Sequence, residues 1–165
     1  YARSLSTAHH RNSVNTPELL YFEDIVLGDV LQSRWYRVER DAIIDFARAW
    51  DPQPFHLDED AARASIFGGL AACAPHLFAI LSRLSFDLPR RLVIIAGLGG
   101  DGLDLIAPVF ADTEVRLIRE FTAARSSKSR PEVGIATFAD RLENRDGQTV
   151  FKTAGSVLVA RRDPA

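Results

Sequence analysis

An aspartate and a histidine stand five residues apart in the stretch from Asp51 to Asp60, "DPQPFHLDED", with prolines around them. A carboxylate and an imidazole can share the acid and base work of one reaction if both come within hydrogen-bond reach of the same proton, about 2.6–3.2 Å. On an unbroken helix, five steps of about 100° would point the two side chains in well-separated directions. Pro52 and Pro54 forbid that helix, because each lacks an N–H and its ring crowds the preceding turn. The expectation is a stiffened loop, which holds two side chains at low entropic cost. The same spacing also suits an Asp-Pro turn with His56 satisfied by backbone, so the residues alone leave both readings open.

Positioning such a pair needs rigid elements on either side. Upstream, "ERDAIIDFARAW" places Ile43, Phe46, Ala47 and Trp50 at helical spacing, and Pro52 ends the helix. Downstream, "DEDAARAS" reads as a short helix with acids at its positive N-terminal end, broken by Gly68-Gly69. From Pro75, "PHLFAILSRLSF" carries Leu77, Ile80, Leu81 and Leu84 on one face; the small residues before it suggest a helix buried on most sides. Before these helices, "VLQSRWYRV" alternates like a strand. After them, "LVIIAGL", "LDLIAPVF", "TEVRLIREFTAAR", "VGIATFADRLEN" and "QTVFKTAGSVLVARR" read as strand throughout, giving about four long ones.

This order of strand, helices and then long strands implies an α+β domain in which a long antiparallel sheet wraps round one central helix. That is the hot-dog arrangement. Its uncovered edge and face call for a second copy, so a homodimer or higher homo-oligomer is expected. At 165 residues the chain suits one such domain, assigned to residues 19–162. Residues 1–18, which hold Arg3 and Arg11 and no acid before Glu18, suggest a flexible arm, a vector-derived remnant or an organellar presequence.

Composition excludes several function classes. With 20 Lys and Arg against 22 Asp and Glu, the net charge of −2 gives no footprint for nucleic acid or an anionic membrane surface. No apolar run approaches the roughly 20 residues that span a bilayer. Cys73 is the single cysteine, which excludes an internal disulfide and a cysteine-rich zinc site. A cytoplasmic location, or an organelle matrix, agrees with that usage.

The segment "FARAWDPQPFHLDEDAARASIFGGLAACAPHLFAILSRL" resembles the MaoC-like, (R)-specific enoyl-CoA hydratase family. The family signature runs as an aromatic residue, D-x-N-P-[aliphatic]-H, an acidic helix and then F-G before the central helix; Asp51, Pro54, His56, Phe67 and Gly68 stand at the matching positions. "GLDLIAPVFADTE" and "SSKSRPEVGIATF" are similar to two further family segments, so the resemblance covers about residues 19 to 160. It implies a hot-dog fold and reversible addition of water to a trans-2-enoyl thioester, giving an (R)-3-hydroxyacyl thioester carried on coenzyme A or on acyl carrier protein. Asp51 and His56 would then be catalytic, and no metal or organic cofactor would be needed. A donor at the thioester oxygen would stabilise the enolate-like transition state.

Several positions depart from the family pattern. Gln53 replaces the usual Asn and Phe55 an aliphatic residue, both beside the dyad. Cys73-Ala74 replaces His-Gly at the head of the central helix, so the expected oxyanion donor becomes the Ala74 backbone N–H. Cys73 reads as a small buried hydrophobe rather than a nucleophile, and His76 as a packing residue. Ser82 matches a serine that some members place near the site. Arg130, with Arg125 and Lys128 in "RSSKSRPE", suits a structural or carrier-binding role. Two other functions fit the same fold: an acyl-CoA thioesterase, and a non-catalytic acyl-thioester binding or regulatory protein.

Overall fold

The computed structural model describes residues 17–162. In chain order the elements are strands β1 (Glu18–Leu20), β2 (Val30–Gln32) and β3 (Tyr36–Arg37), helices α1 (Arg40–Trp50), α2 (Pro54–Leu57), α3 (Glu59–Ala64) and α4 (Ala74–Leu84), then strands β4 (Arg90–Leu92), β5 (Ile94–Leu105), β6 (Glu114–Ser126), β7 (Val133–Asn144) and β8 (Thr149–Ala160). Most of the arm expected over residues 1–18 lies outside the described residues, but Glu18 already belongs to the fold, since β1 pairs in parallel with β4.

The main sheet is antiparallel, in the order β2-β6-β7-β8-β5, with β3 also paired to β6. Its concave face carries Leu117 and Phe121 of β6, Phe138 and Leu142 of β7, and Phe151 and Val157 of β8. These meet Leu77, Ile80, Leu81 and Leu84 of α4 in one continuous core. The hot-dog expectation, a long sheet round one central helix, is what the chain forms.

Four local expectations change. "VLQSRWYRV" is two short strands rather than one, because the Ser33 hydroxyl accepts the Leu117 N–H (2.9 Å) where a ladder carbonyl would stand. β5 runs straight through "GLGGDG" instead of breaking there. It does so with register shifts between Gly97 and Gly99 and between Asp101 and Asp104, and with φ of 128° at Gly99 and 70° at Gly102, which glycine adopts without strain. The strand expected over "LDLIAPVF" survives only as the end of β5; the Ile106 and Ala107 N–H groups both reach the Val150 carbonyl and Pro108 has no N–H to continue the ladder. Finally, α4 is buried on one face only. Phe78 is 45% exposed, and Ala79, Ser82 and Arg83 are exposed beside it.

Candidate active site

The loop expected at "DPQPFHL" is a tight turn that closes into a single helical turn. Asp51 ends α1, its N–H donating to the Ala47 carbonyl at 2.9 Å. The Gln53 N–H then donates to the Asp51 carbonyl (2.8 Å) and the His56 N–H to the Gln53 carbonyl (2.9 Å). Pro54 occupies the first position of α2, where its missing N–H costs nothing and its fixed φ suits the helix. His56 therefore sits on a helical turn rather than a loop, and Pro54 starts that turn instead of preventing it. Asp58 begins the next helix by accepting the Ala61 N–H at 2.8 Å. The span from Asp51 to Asp58 is thus tied at nearly every step.

This backbone brings the two side chains together. His56 Nε2 lies 3.9 Å from Asp51 Oδ2, with the His56 side chain 8% and the Asp51 side chain 30% exposed. His56 Nδ1 lies 2.7 Å from the Ala71 carbonyl oxygen, which can only accept, so Nδ1 carries a proton and Nε2 is the ring atom turned toward Asp51. The imidazole is walled by Phe55, edge-on at 4.6 Å between ring centroids, and by Phe67 at 6.2 Å.

His56, Phe67 and Ala71 line a cavity of about 200 Å³ with Ala74, Leu77 and Pro108. Ala74 opens α4 there. Pro75 has no N–H, and His76 does not line the cavity. The Leu77 N–H donates to the Cys73 carbonyl (3.1 Å), and Ala74, the first residue of the helix, is the residue of this end that both lines the cavity and carries an N–H. Burial pushes the Cys73 thiol pKa up; the His76 N–H partly offsets this, and the Asp51 charge adds to the rise. Such a thiol stays protonated at neutral pH and is no ready nucleophile.

Other residues singled out in the sequence fall elsewhere. Gln53 is exposed in the turn, contributing backbone bonds only. Gly68 adopts φ 71° in the turn after α3 and borders a separate surface cleft with Arg40 and Arg63. Ser82 lies two turns further along α4, against a second cavity under the sheet. Arg130 is exposed in the β6–β7 connection, its N–H donating to Ser127 Oγ at 3.2 Å. Of the residues singled out, His56 and Ala74 line the cavity, Asp51 and Phe55 adjoin it through their contacts with His56, and Gln53, Gly68, Ser82 and Arg130 lie outside it. Sequence reasoning missed the Ala71 carbonyl, because a main-chain acceptor carries no residue signal. It saw the "LIAP" segment as a motif without its role as the far wall. Among the described residues no three His, Cys, Asp or Glu side chains converge to hold a metal ion.

The sequence model of the MaoC-like domain matches residues 23–140, a span that includes the dyad, the cavity and α4. The chain belongs to the MaoC-like family. A Bacillus subtilis (strain 168) protein, YdeM, is 31% identical over 140 residues, covering 84% of this chain and 98% of its own. The structure of a MaoC-like dehydratase from Rhodospirillum rubrum superposes with a TM-score of 0.80 at 39% identity, covering 87% of this chain and 99% of that one. An (R)-hydratase from A. caviae involved in PHA biosynthesis gives a TM-score of 0.65 at 26% identity, with 82% and 97% covered. As a MaoC-like protein with (R)-hydratase structural neighbours, the chain belongs to a hydratase and dehydratase class of hot-dog domains. No helix among the described residues is long and apolar enough to cross a membrane.

Proposed function

We propose that this MaoC-like protein is a hydratase/dehydratase that reversibly adds water to a trans-2-enoyl-CoA thioester to give the (R)-3-hydroxyacyl thioester. The observation that carries the reading is the fixed pairing of His56 Nε2 with Asp51 Oδ2 at 3.9 Å. A ring nitrogen and a carboxylate oxygen at that separation are too far apart to bond directly and well placed to grip one water between them. As the water oxygen attacks C3, one proton passes to the dyad and one is delivered to C2, so no net proton is consumed. The electron pair of the C2=C3 bond moves toward the thioester oxygen, where the Ala74 N–H and the positive end of α4 stabilise the developing charge. Leu77 and Pro108 give the cavity an apolar wall against which an acyl group can pack.

Homodimerisation belongs to the same reading. β5 ends the sheet, is exposed along its whole length, and carries Ile94, Ile95, Leu98, Leu103 and Leu105 48–58% exposed. A second β5 would satisfy its open backbone groups and cover those side chains.

The test is loss of enoyl absorbance from a panel of trans-2-enoyl-CoA thioesters, crotonyl-CoA included, with Asp51→Asn and His56→Ala as controls. Hydration that depends on both residues supports the reading. Release of free thiol instead would establish a thioesterase, and retention of the thioesters without turnover would establish a binding protein.

A further inference from the structure

A second cavity, of about 450 Å³, lies between α4 and the concave face of the sheet, lined by Phe78, Leu81 and Ser82 of the helix and by Gly97, Arg119 and Asp140 of the sheet. Its walls are mostly apolar, yet they hold a charge pair. Arg119 Nε and Nη2 donate to the two oxygens of Asp140 at 2.8 and 2.7 Å, with side chains only 7% and 1% exposed. The guanidinium also lies flat over the Phe138 ring, 3.8 Å from its centroid. Burying two charges costs several kcal/mol per ion, and apolar residues of the same volume usually serve stability as well or better. Stability alone does not explain a buried pair on the wall of this cavity.

The pair leaves one group unspent. Arg119 Nη1 has no hydrogen-bond partner among the described residues, and it is not sealed off from open space. Gly97 of β5 also lines the cavity, and a Cβ built there would meet no atom within 4 Å. From Ala74, at the first cavity, to Ser82, at the second, is eight residues, or about 12 Å along the helix axis. An acyl chain of medium length spans that distance, and a four-carbon chain does not.

We propose, on the basis of the acyl-thioester reading above, that this cavity is a specificity pocket in which Arg119, held by Asp140, recognises an uncharged oxygen on the tail of the acyl group: a hydroxyl, carbonyl or amide. A purely hydrocarbon tail would shut Nη1 away from water without an acceptor. A carboxylate tail would bring a second negative charge to an arginine that Asp140 already neutralises. An uncharged acceptor meets both conditions.

The test uses saturated thioesters, which cannot be hydrated, so that binding is read independently of turnover. Octanoyl-CoA, ω-hydroxyoctanoyl-CoA, the matching dicarboxylic monothioester and butyryl-CoA are titrated calorimetrically into the wild-type protein, Arg119→Met/Asp140→Leu and Gly97→Leu. The hydroxylated chain is expected to bind about tenfold or more tightly than octanoyl-CoA and the dicarboxylic chain more weakly than the hydroxylated one. The double variant, which removes the charges together, should abolish the preference. Gly97→Leu, which adds bulk at another residue lining the cavity, should weaken both eight-carbon ligands and leave butyryl-CoA unchanged. Equal affinities for the plain and hydroxylated chains overturn the pocket while the hydratase reading stands; failure of all four thioesters to bind overturns both.

Discussion

His56 Nδ1 lies 2.7 Å from the carbonyl oxygen of Ala71, so one buried hydrogen bond joins the turn that carries the imidazole to the segment that leads into α4. Ala71 is itself bridged to Phe110, and the Ala72 N–H donates to the Val109 carbonyl at 2.9 Å. The dyad, the helix end and the far wall of the cavity are thereby fixed to one another. The same bond sets the tautomer, because a carbonyl accepts only from a protonated Nδ1.

That bond separates a chemical from a structural role for His56. In His56→Asn the side-chain amide can still donate to Ala71, while nothing remains at the position of Nε2. Hydration of enoyl-CoA should fall by about 10²–10⁴-fold, with the urea midpoint little changed. In His56→Leu the Ala71 carbonyl loses its donor as well, and stability should fall by a further 1–3 kcal/mol or so. Equal loss of stability in both variants would show that the ring, and not the bond, supports the fold.

The N–H of Ala74 can be removed without disturbing the helix. Ala74 is the first residue of α4, a position where proline is tolerated, and Cys73 before it is extended (φ −74°, ψ 160°), as a residue preceding proline prefers. Ala74→Pro should therefore fold normally and lower kcat by about 10²–10³-fold, the usual effect of losing one oxyanion donor. Calorimetric binding of a saturated acyl-CoA should change far less. Full activity in this variant would remove Ala74 from the mechanism.

The fold was legible wherever a periodic pattern met an unambiguous stop. α1 is readable from Ile43 and Ala47 and from Pro52, and α4 from Leu77, Ile80, Leu81 and Leu84; all these apolar residues are buried. Trp50 follows the same spacing and is 74% exposed, because it lies at the end of α1, where no partner covers it. The one-turn helix α2 was not legible, since two prolines in three residues look like a loop unless the second is recognised as the start of a turn. β5 was read as broken because glycines mark loops as readily as bulges. Within the site, Asp51 and His56 were visible as residue types, whereas the Ala71 carbonyl and the walls at Phe67 and Pro108 depend on long-range packing. Ser82 rests on matching a single residue, and a serine alone does not report which cavity it will face; Arg130 rests on a charged loop segment, whose distance from the dyad the sequence does not give.

His76 makes stability depend on pH in a definite direction. Its ring is buried, stacked on Phe46 with centroids 4.5 Å apart, and its Nδ1 has no partner among the described residues. Burial holds its pKa below the ordinary 6.5. In the unfolded chain the histidine takes up a proton as pH falls through about 6.5, while the folded form resists it until lower pH. The unfolded state then binds more protons, so stability present at neutral pH is lost on acidification through that window. His76→Phe keeps the ring stack and removes the titration. Urea unfolding near neutrality and at about pH 5 should show a larger drop in midpoint for the wild type than for the variant; parallel drops would place the acid sensitivity elsewhere.

The edge formed by β5 gives the last test. Ile94, Ile95 and Leu98 are 48%, 54% and 51% exposed there, while Phe78 of α4 is 45% and Phe86 just beyond it 61% exposed. Apolar groups left open on both an edge strand and the helix face beside it mark the surface a second copy would cover. A lysine on such an edge is a device by which natural sheets resist pairing. In sedimentation velocity at micromolar concentration the wild type should therefore run as a dimer and Leu98→Lys as a monomer, at little cost to the single-chain core, because Leu98 is not among its buried residues. If the monomer keeps its far-UV spectrum but hydrates enoyl-CoA poorly, the second copy completes the active site. If it hydrates at the wild-type rate, each chain carries a whole one.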